Sequence, residues 1–475
     1  MAKDKYQIDM CHGPLFGKIL MFALPLMLAN MLQLLFHAAD LIVVGQFSGS
    51  HEAVAAIGCT SSMYSFYVNI FIGLSVGTNV LVARFTGAND SEKVRKTVHT
   101  SMAFAFLGGI IVGALAVILA EPLLSRMDTP PEILPLATKY IQICFCALPF
   151  VMIYNFGCAV LRAIGDTRRP FIFLVLAGIV NVILNLVLVL YFKMDVEGIA
   201  IATVASHIMA AVLILHALFT SDSDIRIFIK SLRIDFRLLK EMLHIGIPAG
   251  IQSSSFSVSN MLIQSSINSF NSYAMAGTTA ALGLEGITYV SANAFHYTVL
   301  SFTAQNLGGQ HYKRILRSSY YCFFLGALIC GVVGWLFYLS GGFFLSFYSS
   351  DPQVIAWGVL RMKILFTTYF LCALMDAVTG VLRGLGYSVL STIICLSGAC
   401  VFRIFWVLVI FPRYRTMECL LYSYPVSWTM VAIVSMIAYA IIYRKILRTQ
   451  CPRFVDWKRW NPNIPRGCRH TGSMK

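Results

Sequence analysis

The stretch ARFTGANDSEKVRK (83–96) returns 221 residues later as AQNLGGQHYKRILR (304–317). Three further pairs keep the same order at nearly the same spacing: VLRAIG (160–165) with VLRGLG (381–386), Pro131 with Pro352, and Pro25 with Pro248. Ordered matches at an almost constant offset indicate an internal repeat. The sequence therefore predicts two related halves.

Composition narrows the class of protein in which this repeat occurs. Of the 475 residues, 58% are hydrophobic and only 12% are charged, and the mean hydropathy is +0.75. Soluble proteins carry about 25% charged residues, and a soluble fold of this length cannot bury so much apolar surface. These values exclude a soluble enzyme, a disordered chain and a disulfide-stapled secreted module.

Twelve apolar runs are long enough to cross a membrane, which takes roughly 20 residues. They lie near 15–46, 51–83, 97–121, 132–161, 168–192, 196–219, 238–270, 274–305, 314–345, 352–382, 388–411 and 418–444. Because backbone polar groups in lipid must be paired within the segment, these runs are predicted to be helices. Six spans in each half make both halves enter the membrane in the same direction, which predicts a parallel repeat around a central cavity.

The predicted fold is thus an all-α polytopic membrane protein with two pseudo-symmetric six-helix lobes. The expected divisions are an N-terminus at 1–14, an N-lobe at 15–219, a linker at 220–237, a C-lobe at 238–447 and a basic tail at 448–475.

The formal net charge of +15 is distributed unevenly along the chain. If the N-terminus is cytoplasmic, 28 of the 36 Lys and Arg residues fall in inner loops or termini and four fall in outer loops. Because this asymmetry is the positive-inside pattern, we expect a cell-membrane protein with both termini cytoplasmic. Nucleic acid is not needed to explain the charge and is not expected as a partner.

No nucleotide-driven engine is visible in the sequence. The segment GPLFGK (13–18) comes nearest to a phosphate-binding loop, but it is one residue short and lacks the following Ser or Thr. Transport would therefore run on an ion gradient, with no cofactor and no catalytic residue.

Ionisable residues inside a span are costly and are interpreted first as functional. A polar stripe of period three to four follows the first span: Asn30, Gln33, His37 and Asp40. Asn181 and Asn185 share a face of the fifth span, and Thr203 lies at a matching depth in the sixth, on the order of 10 Å below the outer surface. Such oxygen groups suit Na⁺, or a proton on Asp40. The alternative is a hydrogen-bonded patch that holds three helices together.

Pro25 is predicted to kink the first span about one turn before this stripe. The kink either couples Asp40 to the shape of the cavity or is a static bend. A polar seventh span and flexible methionines suit an adaptable substrate cavity. Its candidate side chains are Asn30, Gln33, His37, Met63, Asn155, Gln252 and Ser255.

Three embedded charges are secondary candidates in the second half: Glu285, Asp376 and Arg403. Asp376 and Arg403 fall in neighbouring spans and could form an ion pair with a structural or a gating role. Glu285 stands alone in the sequence, and a coupling role for it is the less favoured interpretation.

Several segments resemble the multidrug and toxic compound extrusion (MATE) transporters. They are the bent first span with AADLIVVGQFSGSHEAVAAIG (38–58), VLRAIGDTRRP (160–170), AGIVNVILNLVLV (177–189) and GIAIATV (198–204). The resemblance covers roughly residues 14–447. It implies twelve helices in two lobes and rocker-like export of drugs against a Na⁺ or H⁺ gradient.

The resemblance also implies a cation site in the N-lobe, as in the DinF-like branch, formed by Asp40, Asn181, Asn185 and Thr203. Some members carry Asp where this chain has Asn185, which leaves Asp40 as the only carboxylate of the cluster. The NorM-like branch has an acidic residue early in the seventh span, where this chain has QSSSF (252–256). The DinF-like pattern is therefore favoured.

The predicted function is secondary active export of drug-like, mostly cationic and amphipathic compounds by a monomer in the lipid bilayer. A lipid-linked oligosaccharide flippase is one alternative, and it should have a more cationic cavity. A non-transporting membrane scaffold is another, and it would not need the polar cluster around Asp40.

Overall fold

The computed structural model describes residues 6–47, 51–127 and 129–450, with backbone alone for 37–47, 51–54, 257, 258, 449 and 450. These ranges contain helices and no strand. Single helices form eight of the twelve spans: α1 (Leu15–Phe47), α2 (His51–Gly87), α3 (Ser91–Arg126), α6 (Val196–Phe219), α7 (Phe236–Asn268), α8 (Ser272–Gly308), α9 (Tyr312–Leu339) and α12 (Met417–Gln450).

The other four spans are interrupted. They are α4 (Leu134–Phe145 and Leu148–Ala163), α5 (Arg168–Leu186 with a π-helical turn, Val187–Tyr191), α10 (Pro352–Leu365, Phe366–Thr368 and Tyr369–Gly384) and α11 (Ser388–Cys395, Leu396–Val401, Phe402–Phe405, Trp406–Ile410 and Phe411–Tyr414). Short helices at Ile229–Ser231 and Gly341–Ser346 lie between spans. The two parts of α4 meet at a bend of 44°.

Length and hydropathy identify nine membrane-crossing helices in the described ranges, or ten with the bent α4. The remaining two, α7 and α8, are long enough but carry more polar residues. The twelve helices coincide with the twelve predicted spans. Large apolar side chains such as Ile118 and Leu339 are 70% and 74% exposed, as expected for surfaces that face lipid.

Side-chain caps fix where several helices begin. The side chains of Asp90, Asp235, Asn271 and Asp351 accept hydrogen bonds from backbone N–H groups in the first turns of α3, α7, α8 and α10. Such caps satisfy donors that have no partner within the helix. The loops 88–90, 164–167, 220–235, 309–311 and 385–387 lie at one end of the bundle, which we call the basic end.

Two hydrophobic cores form the two lobes, but α1 and α7 are each divided between them. The first half of α1, from Leu15 to Leu26, packs in the core of the C-lobe. Met242, Ile245 and Ala249 of α7 pack in the core of the N-lobe, and the outer half of α7 returns to the C-lobe. The repeat-related prolines Pro25 and Pro248 lie inside these two helices, close to the last residue of each that packs in the first core it meets. The first helical turns of the predicted N-lobe, 15–219, thus pack against the core of the opposite lobe.

Close backbone packing of α2 against α7 holds the lobes together. A Cβ atom on Gly73 would stand 2.3 Å from the Cα atom of Gly250. Only glycine permits such an approach, and close helix contacts of this kind are typical of membrane bundles.

Candidate functional site

Asn181 and Asn185 form a buried polar pair in the N-lobe, and Thr203 lies on the helix that packs against theirs. Asn185 donates from Nδ2 to Oδ1 of Asn181 at 3.2 Å, as their spacing on one face of α5 predicts. The two asparagines are 6% and 1% exposed. Thr203 Oγ1, on the adjacent α6, is buried without a hydrogen-bond partner. A buried hydroxyl oxygen without a partner is costly, and the cation-binding role of this hydroxyl stays a prediction.

The packing of α1 on α5 sets the level of position 40. Phe36 of α1 lies against Gly178, where a Cβ atom would stand 1.7 Å from the Phe36 ring. Because α1 and α5 cross in the same direction, one further turn along both helices brings position 40 to the level of Asn181. The side chains of Asp40 and His37 lie outside the described residues.

The residues predicted to line the substrate cavity have different environments in the structure. Gln33 is exposed and Ser255 is half-buried, with its hydroxyl on the carbonyl of Ile251. Asn155 donates to the carbonyl of Val151 in its own helix. Met63 and Gln252, at 8% and 4% exposed, are buried in the lobes, because their helix faces pack inward.

Asn30, which the sequence assigned to the substrate cavity, forms a hydrogen bond to another helix. Its Nδ2 donates to Oδ1 of Asn293 on α8 at 3.1 Å. The bond lies about one turn beyond Pro25, so α1 is tied to the C-lobe just before it reaches the N-lobe polar site.

Glu285 is not alone, contrary to the sequence-based interpretation. Its Oε2 lies 2.7 Å from Nη2 of Arg361 on α10, and their side chains are 12% and 2% exposed. A buried pair of this kind avoids leaving either charge uncompensated.

Asp376 and Arg403 do not form the ion pair that the sequence suggested. Within the described residues, Asp376 interacts with Tyr289 and Arg383. Arg403 donates to Ser427 at 2.9 Å and to Asn260 at 3.5 Å. Asp376 lies in the part of α10 nearer the basic end, whereas Arg403 lies toward the middle of α11, so the two point to different partners.

One stripe of α8 links these groups to the N-lobe. Its members recur at helical spacing: Glu285, Tyr289, Asn293, His296, Tyr297, Ser301 and Gln305. The stripe's contacts pass from C-lobe charges near its start to N-lobe groups near the basic end. There, Ser301 donates to Asn79 at 3.1 Å and Gln305 donates to the carbonyl of Ala163 at 3.4 Å.

The repeated arginines of VLRAIG and VLRGLG converge on this stripe from opposite lobes. Arg162 places its guanidinium 4.9 Å from the ring centre of Tyr297. Arg383 donates to His296 at 3.3 Å, and the other ring nitrogen of His296 donates to the carbonyl of Asp376 at 2.7 Å. The repeat thus supplies equivalent contacts from both lobes to neighbouring residues of one helix.

Residues 6–14, which we call the N-terminal strap, join the lobes at the basic end. The N–H of Ile8 donates to the carbonyl of Gly165 in the N-lobe. Arg314 of the C-lobe donates to three strap carbonyls, those of Met10, His12 and Gly13, at 2.7, 2.9 and 2.8 Å. Burial of the strap residue Cys11 against Gln305 and Gly309, with a smaller effect of Asp9, raises its pKa to about 11. Arg84 also donates across the lobes to the carbonyl of Leu385, so this end of the bundle is closed.

A family model described as MatE matches the chain twice, over residues 25–187 and 248–409. The chain belongs to the MatE family. The two matches begin at Pro25 and Pro248, the prolines that the sequence repeat aligns, so the family model independently recovers the two halves.

Two MatE-like relatives extend this assignment. The chain is 26% identical over 384 residues to the probable multidrug resistance protein YoeA of Bacillus subtilis, covering 79% of this chain and 82% of that protein. It is 26% identical over 378 residues to a FAD transporter of Shewanella oneidensis, covering 77% and 81%.

A solved structure supports the fold. The outward-facing conformation of a multidrug resistance MATE family transporter superposes with a TM-score of 0.86 at 20% identity, covering 94% of this chain and 100% of that chain. At this identity the likeness concerns the fold alone.

Sequence reasoning missed two parts of this MatE protein that the structure brings together. Arg361 lies in a predicted span, so its charge was a visible signal that Glu285 had a partner. The α8 stripe was visible as a helical period of polar residues, but its neutral members gave no reason to choose it over a lipid-facing or core pattern.

Proposed function

We propose that this MatE-family protein is a secondary active multidrug exporter. It moves amphipathic, mostly cationic organic compounds out of the cell as Na⁺ or H⁺ moves inward. The basic end and both termini face the cytoplasm of the cell membrane, and the monomer is the working unit. The buried pair of Asn181 and Asn185, with Thr203 on the neighbouring helix, carries the proposal, because the contact of Phe36 with Gly178 supports a position of Asp40 at the same level.

In the proposed mechanism, Asp40 takes up the cation from the outside. Neutralising Asp40 removes a charge that is costly inside the bilayer, and α1 then adjusts at Pro25. Because α1 packs on the C-lobe through Leu26 and Asn30 and reaches the N-lobe at Phe36, a bend at Pro25 changes the fit between the lobes. The lobes then move so that the cavity between them opens alternately to the two sides of the membrane. They comprise residues near 15–219, without the first turns of α1, and residues near 238–447.

The contacts at the basic end indicate to which side of the membrane this conformation opens. The strap and the Arg84–Leu385 bond close the basic end, so we propose that this conformation opens to the outside. The similar transporter, whose structure is in an outward-facing conformation, supports this proposal.

An efflux assay in a drug-sensitive cell tests the function, with external Na⁺ and pH varied independently. Asp40→Asn should abolish gradient-driven efflux of ethidium while leaving the amount of membrane-inserted protein unchanged. Asp90→Asn is the matched control, because Asp90 is a carboxylate in the exposed loop before α3. Undiminished export by Asp40→Asn would sink the scheme.

One observation favours the alternative function of a lipid-linked oligosaccharide flippase. The C-lobe interior holds three buried arginines, Arg361, Arg383 and Arg403, against the carboxylates Glu285 and Asp376. A substrate with an anionic group is therefore a second candidate, and the FAD transporter among the relatives favours it. Failure to raise resistance to organic cations, together with translocation of a phosphorylated lipid, would select it.

A further inference from the structure

The outer half of the C-lobe contains more positive than negative charge around one tyrosine. The guanidinium groups of Arg361 and Arg403 lie 5.8 and 4.3 Å from the ring centre of Tyr424. Arg361 is neutralised by Glu285 at 2.7 Å. The four side chains of Glu285, Arg361, Arg403 and Tyr424 together therefore carry one net positive charge, that of Arg403.

The partners of Arg403 are all uncharged. Its side chain, 3% exposed, bonds to the hydroxyl of Ser427 and the amide oxygen of Asn260. In the described part of the chain, no Asp or Glu oxygen lies within 4 Å of it. A guanidinium offers five donors in a planar fork that matches a carboxylate, so this one holds an incomplete set of acceptors.

Asn260 connects Arg403 to the accessible surface. It is exposed on α7, and its Oδ1 also accepts a bond from the Tyr424 hydroxyl at 3.4 Å. Its bond to Arg403, at 3.5 Å, is long for a charge-assisted contact. The Asn260 side chain, which a ligand can displace, thus separates Arg403 from the accessible surface.

Aromatic rings continue from this point into the lobe. The Trp428 ring lies 5.8 Å from Tyr424 and 5.4 Å from Tyr369, both in tilted or edge-on contact. Beside a guanidinium, such rings favour an aromatic ligand with an anionic substituent.

We propose that Arg403, Tyr424 and Asn260 form a binding site for the carboxylate of an aromatic organic ligand. The carboxylate replaces the Asn260 oxygen on Arg403 and pairs with the excess charge. This inference deepens the proposed function, since it assigns the exporter zwitterionic or anionic substrates in addition to cations.

A matched pair of dyes provides the test. Rhodamine 110 carries a free carboxylate, and rhodamine 123 is its methyl ester with the same ring system. Their binding to the full-length protein in phosphatidylcholine nanodiscs is measured by fluorescence polarisation in gluconate buffer. A charge-assisted bond to a buried guanidinium should favour the acid over the ester by about 10- to 100-fold. Equal affinities would overturn the proposal.

Two variants probe the site from opposite sides. Arg403→Gln removes the cation and should abolish the preference for the acid. Asn260→Asp supplies a carboxylate within reach of Arg403 that occupies the guanidinium in place of the ligand, so it should lower the ratio of acid to ester affinity by a similar factor. Asn268→Asp, an exposed change two turns further along α7, is the control and should keep the preference. If Asn260→Asp behaves like Asn268→Asp, the site is not a carboxylate site.

The outcomes also separate other occupants and the proposed function. An acid preference that disappears in chloride buffer or with phosphatidylglycerol would assign the site to a small counter-ion or a lipid headgroup and overturn the proposal. Gradient-driven export of the ester without any acid preference would refute this inference alone. Acid preference without gradient-driven export of either dye would refute only the proposed function.

Discussion

Breaking the buried pair between Glu285 and Arg361 should destabilise the C-lobe strongly. In Glu285→Gln, Arg361 keeps its charge at 2% exposed but loses the carboxylate at 2.7 Å. Removing one partner of a buried pair typically costs about 3–5 kcal/mol, because the remaining charge is uncompensated. We therefore expect a loss of this size in the free energy of unfolding.

The assay is reversible unfolding in mixed detergent and SDS, followed by tryptophan fluorescence. The exposed pair of Lys139 and Glu197 is the control: its atoms are 2.5 Å apart, but its side chains are 59% and 38% exposed. Glu197→Gln should cost only ~0.2–1 kcal/mol.

The double variant Glu285→Gln with Arg361→Met separates charge from packing. Because it removes both charges, it should recover most of the stability lost in the single variant. The reasoning is refuted if Glu285→Gln costs no more than Glu197→Gln, or if the double variant is as unstable as the single one.

Three further predictions concern the strap, the helix contact and the ion site. Gly165 has φ +95° and a Cβ atom there would stand 2.3 Å from the carbonyl oxygen of Ile8, so Gly165→Val should release the strap. The pKa of Cys11 then falls from about 11 towards 9.0, and its thiolate fraction at pH 8 rises by up to about 100-fold. Peptide-resolved maleimide labelling of Cys11 measures this rise, and unchanged labelling would contradict the proposed role of the strap. Gly178→Val should separate α1 from α5 at Phe36 at a cost of about 1–3 kcal/mol and slow gradient-driven efflux, whereas Gly58→Val, in open space, should not. Asn185→Asp should make efflux more dependent on Na⁺ because a second carboxylate joins the site, and an unaltered Na⁺ dependence would argue against coordination there.

Hydropathy and the repeat were sufficient to predict the twelve helices and the two lobes. Spans of this length must be helical in lipid, and the matching arginine motifs occupy equivalent places in the structure. Periodicity also placed Asn181 and Asn185 on one face, since neighbours four residues apart in a helix must meet.

Contacts between distant spans could not be predicted in the same way. The division of α1 and α7 between the lobes depends on packing across the repeat, which neither half encodes by itself. Asn30 lies on the same polar face of α1 as Asp40, yet it bonds to Asn293 of the C-lobe. The reason is that α1 passes between the two lobes, so that different parts of one face contact different lobes. The sequence left open whether Asp376 pairs with Arg403 for the same reason: adjacency of two spans does not fix the depth or the direction of their side chains.

The central claim is that Asp40 couples an inward cation to outward transport. The direct measurement uses purified protein in liposomes, with an imposed Na⁺ or pH gradient and ethidium flux as the readout. The account predicts that one of these gradients drives flux through the natural protein and the Asp90→Asn control, and that Asp40→Asn retains only exchange without a gradient. Gradient-driven flux at the natural rate in Asp40→Asn would contradict it.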